Sequence, residues 1–334
     1  MTEISRPIAA TTAANTPLIP RPEEPFSQQR ATSFAWLPLC LLLVSIFTTA
    51  STGALLMQNF RLGQPPLVNE GDLFPLLWIW NHPSTLPSGW SFSLALLGIL
   101  LAHEAGHFIL CRRHGIRASW PYVLPAPTLS GTAGAVIRIR SRIPSRRALI
   151  EVGIAGPIAG YVVALGTSIL GILLSRPAEP GSAPALVQFH QPLTIALLDR
   201  MLAALIPGVP ALNHLLPHPI LMASWVGLFV TSLNLIPAGQ LDGGHILYAI
   251  APRWHRRMTF AVPMVLLAMG VMLWTGWLLW GVILLLPAMR HPHVSYFPLM
   301  PYDHRWLAVL ALGILVLTFL PAPFVGTSLL DLFR

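Results

Sequence analysis

Residues 90–111 read WSFSLALLGILLAHEAGHFILC, an apolar run that nonetheless carries His103, Glu104 and His107. About 20 apolar residues in a helix cover the ~30 Å of hydrocarbon in a bilayer. Inside that layer a backbone must satisfy its own hydrogen bonds, so a run of this length is constrained to a membrane-spanning helix. Comparable runs occupy residues 35–57, 148–174, 220–244 (interrupted near Pro237), 258–274, 276–289 and 306–321. The chain therefore reads as an all-α polytopic membrane protein with six to seven transmembrane helices, the count depending on the short run at 276–289. Composition agrees. Of 334 residues, 54% are hydrophobic and only 10% charged, with a mean hydropathy of +0.66, which is too little polar surface for a soluble domain.

Residues 1–34 are rich in Ala, Thr, Pro and Ser without hydrophobic periodicity and read as a flexible cytoplasmic tail; residues 35–334 form the membrane-embedded part. The first apolar run is long enough to span, so it is read as a helix and not as a cleavable signal. LFPLLWIW at residues 73–80 reads as an interfacial piece anchored by tryptophans. The proline-rich connection 175–219 is too broken for a span, and lacks the length and strand pattern of a PDZ insert. Cys40 and Cys111 lie in separate apolar segments without a CxxC pair, so neither a disulfide framework nor a thiolate zinc site is indicated.

The formal charge of +8 comes from 20 arginines and no lysine. The arginines sit in the connections between runs, a pattern that fits the positive-inside rule and speaks against a nucleic-acid partner. Threading every run across the membrane from a cytoplasmic amino terminus leaves Arg61, Arg176, Arg200 and Arg334 outside. The other sixteen of the 20 face the cytoplasm, eight of them between Arg112 and Arg147. The carboxyl end of the His-Glu helix then lies on the cytoplasmic face. The lysine-free composition and the lack of a transit peptide point to a bacterial cytoplasmic (inner) membrane.

HEAGH fits H-E-x-x-H, whose meaning on a helix is mechanical. At about 100° per residue, His103 and His107 lie roughly 40° apart on one face, one turn above the other. Both imidazoles can bind one Zn²⁺, with Glu104 placed to deprotonate water at the metal. An acidic residue at mid-membrane costs about 2.5–3.5 kcal/mol on the insertion scale. A tightly bound zinc, worth of order 10 kcal/mol in structural sites, offsets several such groups, which a polar cluster gluing helices together does not.

A catalytic zinc takes a third protein ligand. The candidate lies in NLIPAGQLDGGHIL, residues 234–247, where Pro237, Gly239, Gly243 and Gly244 interrupt an apolar run. Non-helical backbone at membrane depth is tolerated only where it is buried in protein or lines a wet cavity, and Asp242 stands in that interruption. The competing role for Asp242, a cap at a helix end, has nothing to say about the unfilled ligand position.

HEAGH in one run together with NLIPAGQLDG in a later one resembles the site-2 protease family of intramembrane zinc metalloproteases. The likeness extends from about residue 88 to 331. PYVLPAPTLSGTAGAVIRIRSRIPSRRALIEVGIAGPIAG and LLWGVILLLP are similar to the subgroup of the chloroplast ethylene-dependent gravitropism-deficient proteins and their bacterial relatives. The resemblance implies that His103, His107 and Asp242 hold one zinc per chain and that Glu104 is the general base or acid. It implies that Asn234 hydrogen-bonds substrate or stabilises the oxyanion, and that the reaction is cleavage of transmembrane segments in regulated intramembrane proteolysis.

GAVIRIRSRI, residues 134–143, alternates Val136, Arg138, Arg140 and Arg142 against Ile137, Ile139, Ser141 and Ile143, a strand period. It reads equally as an edge that receives an unwound substrate and as a basic strand facing anionic membrane lipids, in a β-hairpin or re-entrant loop. Gly156-x-x-x-Gly160 reads as a close-packing surface that lets the catalytic helices touch. His214 and His218 have helical spacing broken by prolines and read as a surface pair, His291 and His293 as solvated, and His245 as structural. The scarcity of further histidines argues against a di-iron desaturase, and the concentration of polar groups in two runs argues against a transporter. The remaining alternative is a non-catalytic metal-binding scaffold or pseudoprotease holding single-span partners.

Overall fold

A computed structural model describes residues 36–178, 185–206, 215–289 and 304–331. The expected tail lies outside the described residues, as do His214, His291 and His293. Helix α1 (Leu37–Arg61) is followed by a short α2 (Pro75–Asn81) within the segment read as interfacial, and by α3 (Trp90–Arg113), which carries HEAGH. A hairpin of β1 (Tyr122–Pro125) and β2 (Thr132–Val136) leads into α4 (Arg146–Leu174). Beyond it come β3 (Arg176–Pro177), α5 (Leu193–Leu205), β4 (Leu215–Leu216), α6 (Pro219–Asn234), α7 (Asp242–Ile250), α8 (Pro252–Met272), α9 (Gly276–Leu285) and α10 (Trp306–Thr318).

Three helical stretches, Leu37–Arg61, Pro83–Arg113 and Arg146–Leu174, are long and apolar enough to cross a membrane; Pro219–Asn234, Gly276–Leu285 and Trp306–Thr318 are shorter apolar helices. Their outer faces carry exposed stripes: Leu39, Leu43 and Phe47 on α1, Val162, Leu170 and Leu173 on α4, Val309, Leu312 and Val316 on α10. Stripes of this extent need a partner in water, and lipid is one. The chain is a membrane protein. Helix α4 is the centre of the bundle. Its Leu149, Ile150 and Ile154 pack with Ile246 and Ala249 of α7 and with Leu307, Ala311 and Ile314 of α10, while its Ala164 and Ile172 meet Ile99 of α3 and Leu221, Trp225 and Leu228 of α6.

Two expectations change, on the strand at 134–143 and on His218, and the connection 175–219, read as holding no span, gains a short helix. The connection 175–219 contains α5, whose Leu193, Leu197, Met201 and Leu205 line an exposed side while Thr194, Ile195 and Leu202 are buried. A search for span-length apolar runs passes over a 13-residue helix interrupted by Asp199 and Arg200. The strand expected at 134–143 is also shifted, because β2 starts at Thr132 and ends at Val136, antiparallel to β1. Past β2 the pairing resumes irregularly, with Ser119 N–H donating to Arg138 O and Arg140 N–H to Arg117 O. The alternation itself holds. Arg138, Arg140 and Arg142 are exposed, and Ile137, Ile139 and Ile143 pack toward Cys111, Ile116, Ala148 and Val152. A period of two records which face is buried, not where the ladder ends. His218 is likewise no surface residue: it is buried and caps α6, its Nδ1 accepting from Ile220 N–H at 3.2 Å.

The hairpin is held by α1. Thr48 Oγ1–H donates to Gly131 O at 2.6 Å and Ser45 Oγ–H to Val123 O at 3.3 Å. Hydroxyls on a helix interior otherwise fold back on their own carbonyls; here two of them fasten a neighbouring turn and strand.

Candidate metal centre

The helical spacing of HEAGH brings His103 and His107 to the same side of α3, rings 4.8 Å apart. His103, Glu104 and His107 are 5%, 4% and 7% exposed, so any charge they carry must be answered by protein or metal. The close approach of α4 makes the burial possible. A Cβ on Gly106 would lie 2.3 Å from Ala155 O, and one on Gly156 would lie 2.1 Å from His107 Nε2. Gly160, one turn on, faces His103 in the same way, its would-be Cβ 3.1 Å from His103 Cβ. The small-residue pair on α4 is the floor on which the two imidazoles rest.

Asp242 is the first residue of α7 and reaches His103 from 139 positions away in the chain, with His107 one turn on. Its Oδ2 is 3.1 Å from His103 Nε2 and 3.3 Å from His107 Nε2, and the two Nε2 atoms are 3.1 Å apart. A tetrahedral zinc with bonds of about 2.0–2.1 Å holds its ligand atoms about 3.3 Å from one another. The triangle fits that ion with no rearrangement. Among the described residues this is the group of His, Cys, Asp and Glu with such geometry. His107 Nδ1–H donates to Val152 O of α4 at 2.7 Å, which leaves the Nε2 lone pair facing the triangle, as a metal-binding imidazole requires.

Asn234, the last residue of α6, stands at the rim, its Nδ2 3.4 Å from His103 Nε2. Glu104 lies beside His107 on the helix, with the Ile137 backbone just beyond β2 close to its carboxylate. All five residues singled out from the sequence thus meet in one place. Sequence reasoning missed the Val152 carbonyl, since backbone groups leave no mark in residue identity. The Gly156-x-x-x-Gly160 spacing marked the α4 surface without saying which rings rest on it.

Apolar helices closing on two imidazoles and a carboxylate, with a second carboxylate alongside, define a membrane protein with a candidate metal centre as the class of protein. The sequence profile of peptidase family M50 matches residues 91–276, more than half of the chain. The chain belongs to that family. It is similar to the probable chloroplastic zinc metalloprotease EGY2 of Oryza sativa subsp. indica, 28% identical over 296 residues, 85% of this chain and 52% of that protein. It is also similar to the probable chloroplastic zinc metalloprotease EGY1 of Arabidopsis thaliana, 38% identical over 156 residues, 45% of this chain and 27% of that one. The chain thus spans about half the length, or less, of these relatives. The solved Site-2 Protease from Methanocaldococcus jannaschii aligns at a TM-score of 0.32 and 16% identity, over 73% of this chain and 83% of that chain.

Proposed function

We propose that this protein is an intramembrane zinc metalloendopeptidase that cuts transmembrane segments of other membrane proteins near the arginine-rich end of its bundle. The observation that carries the reading is the triangle of His103, His107 and Asp242 with Glu104 beside it, buried among apolar helices. In this reading the three hold one zinc per chain. A zinc ion there supplies Lewis acidity, polarising a peptide carbonyl and making water nucleophilic near neutral pH. Glu104 takes the proton from the attacking water and returns it to the leaving amine. Asn234, at the rim, donates to the carbonyl oxygen as negative charge builds there.

A substrate helix hides its carbonyl carbons and must be opened before it is cut. The β2 edge, fastened by α1 and continued by Ile137 close to Glu104, is suited to hold an opened segment as an added strand; its exposed arginines also suit anionic lipid headgroups. The three shorter apolar helices bring the spans to six, and α8 (Pro252–Met272) makes a seventh. The arginine distribution supports an amino terminus and a mouth of the site on the cytoplasmic side, in a bacterial inner membrane by our reading of the composition.

The test is Glu104→Ala in the full chain. Cleavage of single-span substrates, read by comparing membrane proteomes with and without active protein, should fall by roughly 10²–10⁴. Zinc content by mass spectrometry should stay near one per chain. Equal cleavage by variant and parent overturns the role of Glu104. Zinc-loaded parent that binds single-span proteins but never cuts them favours a scaffold instead.

A further inference from the structure

We propose that His255, on α8, positions the Asp242 carboxylate by holding the turn that precedes it, an inference that rests on reading His103, His107 and Asp242 as a zinc site. Between α6 and α7 the chain leaves helical geometry. Ala238 N–H donates to Ile236 O at 2.8 Å, and Leu241 N–H donates to Ala238 O at 3.3 Å. Neither helix continues through the turn, so the place of Asp242 depends on what holds it. Gly239 sits at its apex with φ +58°, a conformation that side-chain-bearing residues rarely adopt.

The grip comes from later in the chain. His255 is buried, and its Nε2–H donates to Gly239 O at 3.2 Å. The Tyr248 ring packs edge-on against the imidazole, centroids 5.4 Å apart at 84°, which orients the donor. On the other side Gln240 Nε2–H donates to Ala288 O at 2.8 Å, and a Cβ on Gly239 would lie 2.8 Å from Met289 O. The turn is therefore clamped between α8 and the residues after α9. Asp242 Oδ2 must stay within 3.1 and 3.3 Å of two imidazole nitrogens, a fit that a freely moving turn does not keep. His255 acts through Gly239 and is a positioning residue, not a ligand.

The experiment uses the full chain purified in detergent, with zinc affinity read by competition against a chromogenic chelator and site geometry by the visible spectrum of the cobalt-loaded protein. His255→Phe keeps a ring against Tyr248 and removes the donor; His255→Gln restores an N–H donor at similar reach. Phe should weaken zinc binding by about 10- to 100-fold, the usual cost of losing an outer partner of a metal site, and should alter the cobalt spectrum. Gln should stay close to the parent in both. Zinc binding by the Phe variant as tight as the parent's, or equal weakening by Phe and Gln, overturns the inference. If Phe prevents folding, Gln240→Leu at an exposed position of the same turn decides. Several-fold weaker binding supports the clamp, and unchanged affinity overturns it. A parent that itself binds no zinc sinks the metalloprotease reading, an outcome distinct from any of these.

Discussion

Gly156 is the residue on which the candidate centre is most sensitive to a single methyl group. The His107 imidazole occupies the space a side chain would need there, and an overpacked site yields by moving the more mobile group. Gly156→Ala should drive zinc well below one per chain and abolish cleavage, both read on purified protein. Gly166→Ala on the same helix, where nothing lies within 4 Å of the added carbon, should change neither. Asn234→Ala tests a different role. Loss of one donor to a developing oxyanion costs about 10²–10³ in kcat, with KM and zinc content near the parent values; an unchanged kcat would remove Asn234 from the chemistry.

At the scale of elements, α1 is tied to the hairpin and α6 depends on its cap. Thr48→Val keeps the shape of the side chain and removes the donor to Gly131 O. We expect a loss of about 1 kcal/mol in stability and a rise in KM with zinc content unchanged, because the hairpin and not the metal is loosened. The α6 cap carries a pH dependence. Burial, and then the charge of Arg176, lower the pKa of His218 below its ordinary 6.5, and its Nδ1 must stay unprotonated to accept from Ile220. The unfolded chain therefore binds more protons below about pH 6.5, so stability is retained above that value and is lost as the pH falls toward the folded pKa. The detergent-solubilised protein should unfold at a lower temperature at about pH 5.5 than at about pH 7.5, and His218→Asn, a neutral cap, should narrow the gap.

For the whole molecule, the candidate ligands sit on α3 and α7, so a bound ion cross-links helices that are separated in sequence by all of α4, α5 and α6. Binding to the folded state alone stabilises by about 2.7 kcal/mol when free zinc is a hundredfold above its Kd. Chelation should lower the unfolding temperature of the parent, and the shift should vanish in Asp242→Ala. An equal shift in both would place the stabilising metal elsewhere.

What the sequence determined by itself was whatever lies within one helix turn or one strand period. Apolar length defined the principal helices, the four-residue spacing put His103 and His107 on one side of α3, and the alternation from Val136 to Ile143 sorted arginines outward and isoleucines inward. Helix α5 escaped because its periodicity is short and broken by an Asp–Arg pair. Tertiary structure alone decided that Asp242 meets two imidazoles more than 130 residues away, that the Val152 carbonyl orients His107, that the Ile137 backbone comes close to Glu104, and that a histidine on α8 clamps the turn before Asp242. Local periodicity reflects the backbone's own geometry, whereas meetings across the chain depend on how closely α3 and α4 can approach. That approach is set by glycines whose missing side chains acquire meaning only once the facing ring is in place.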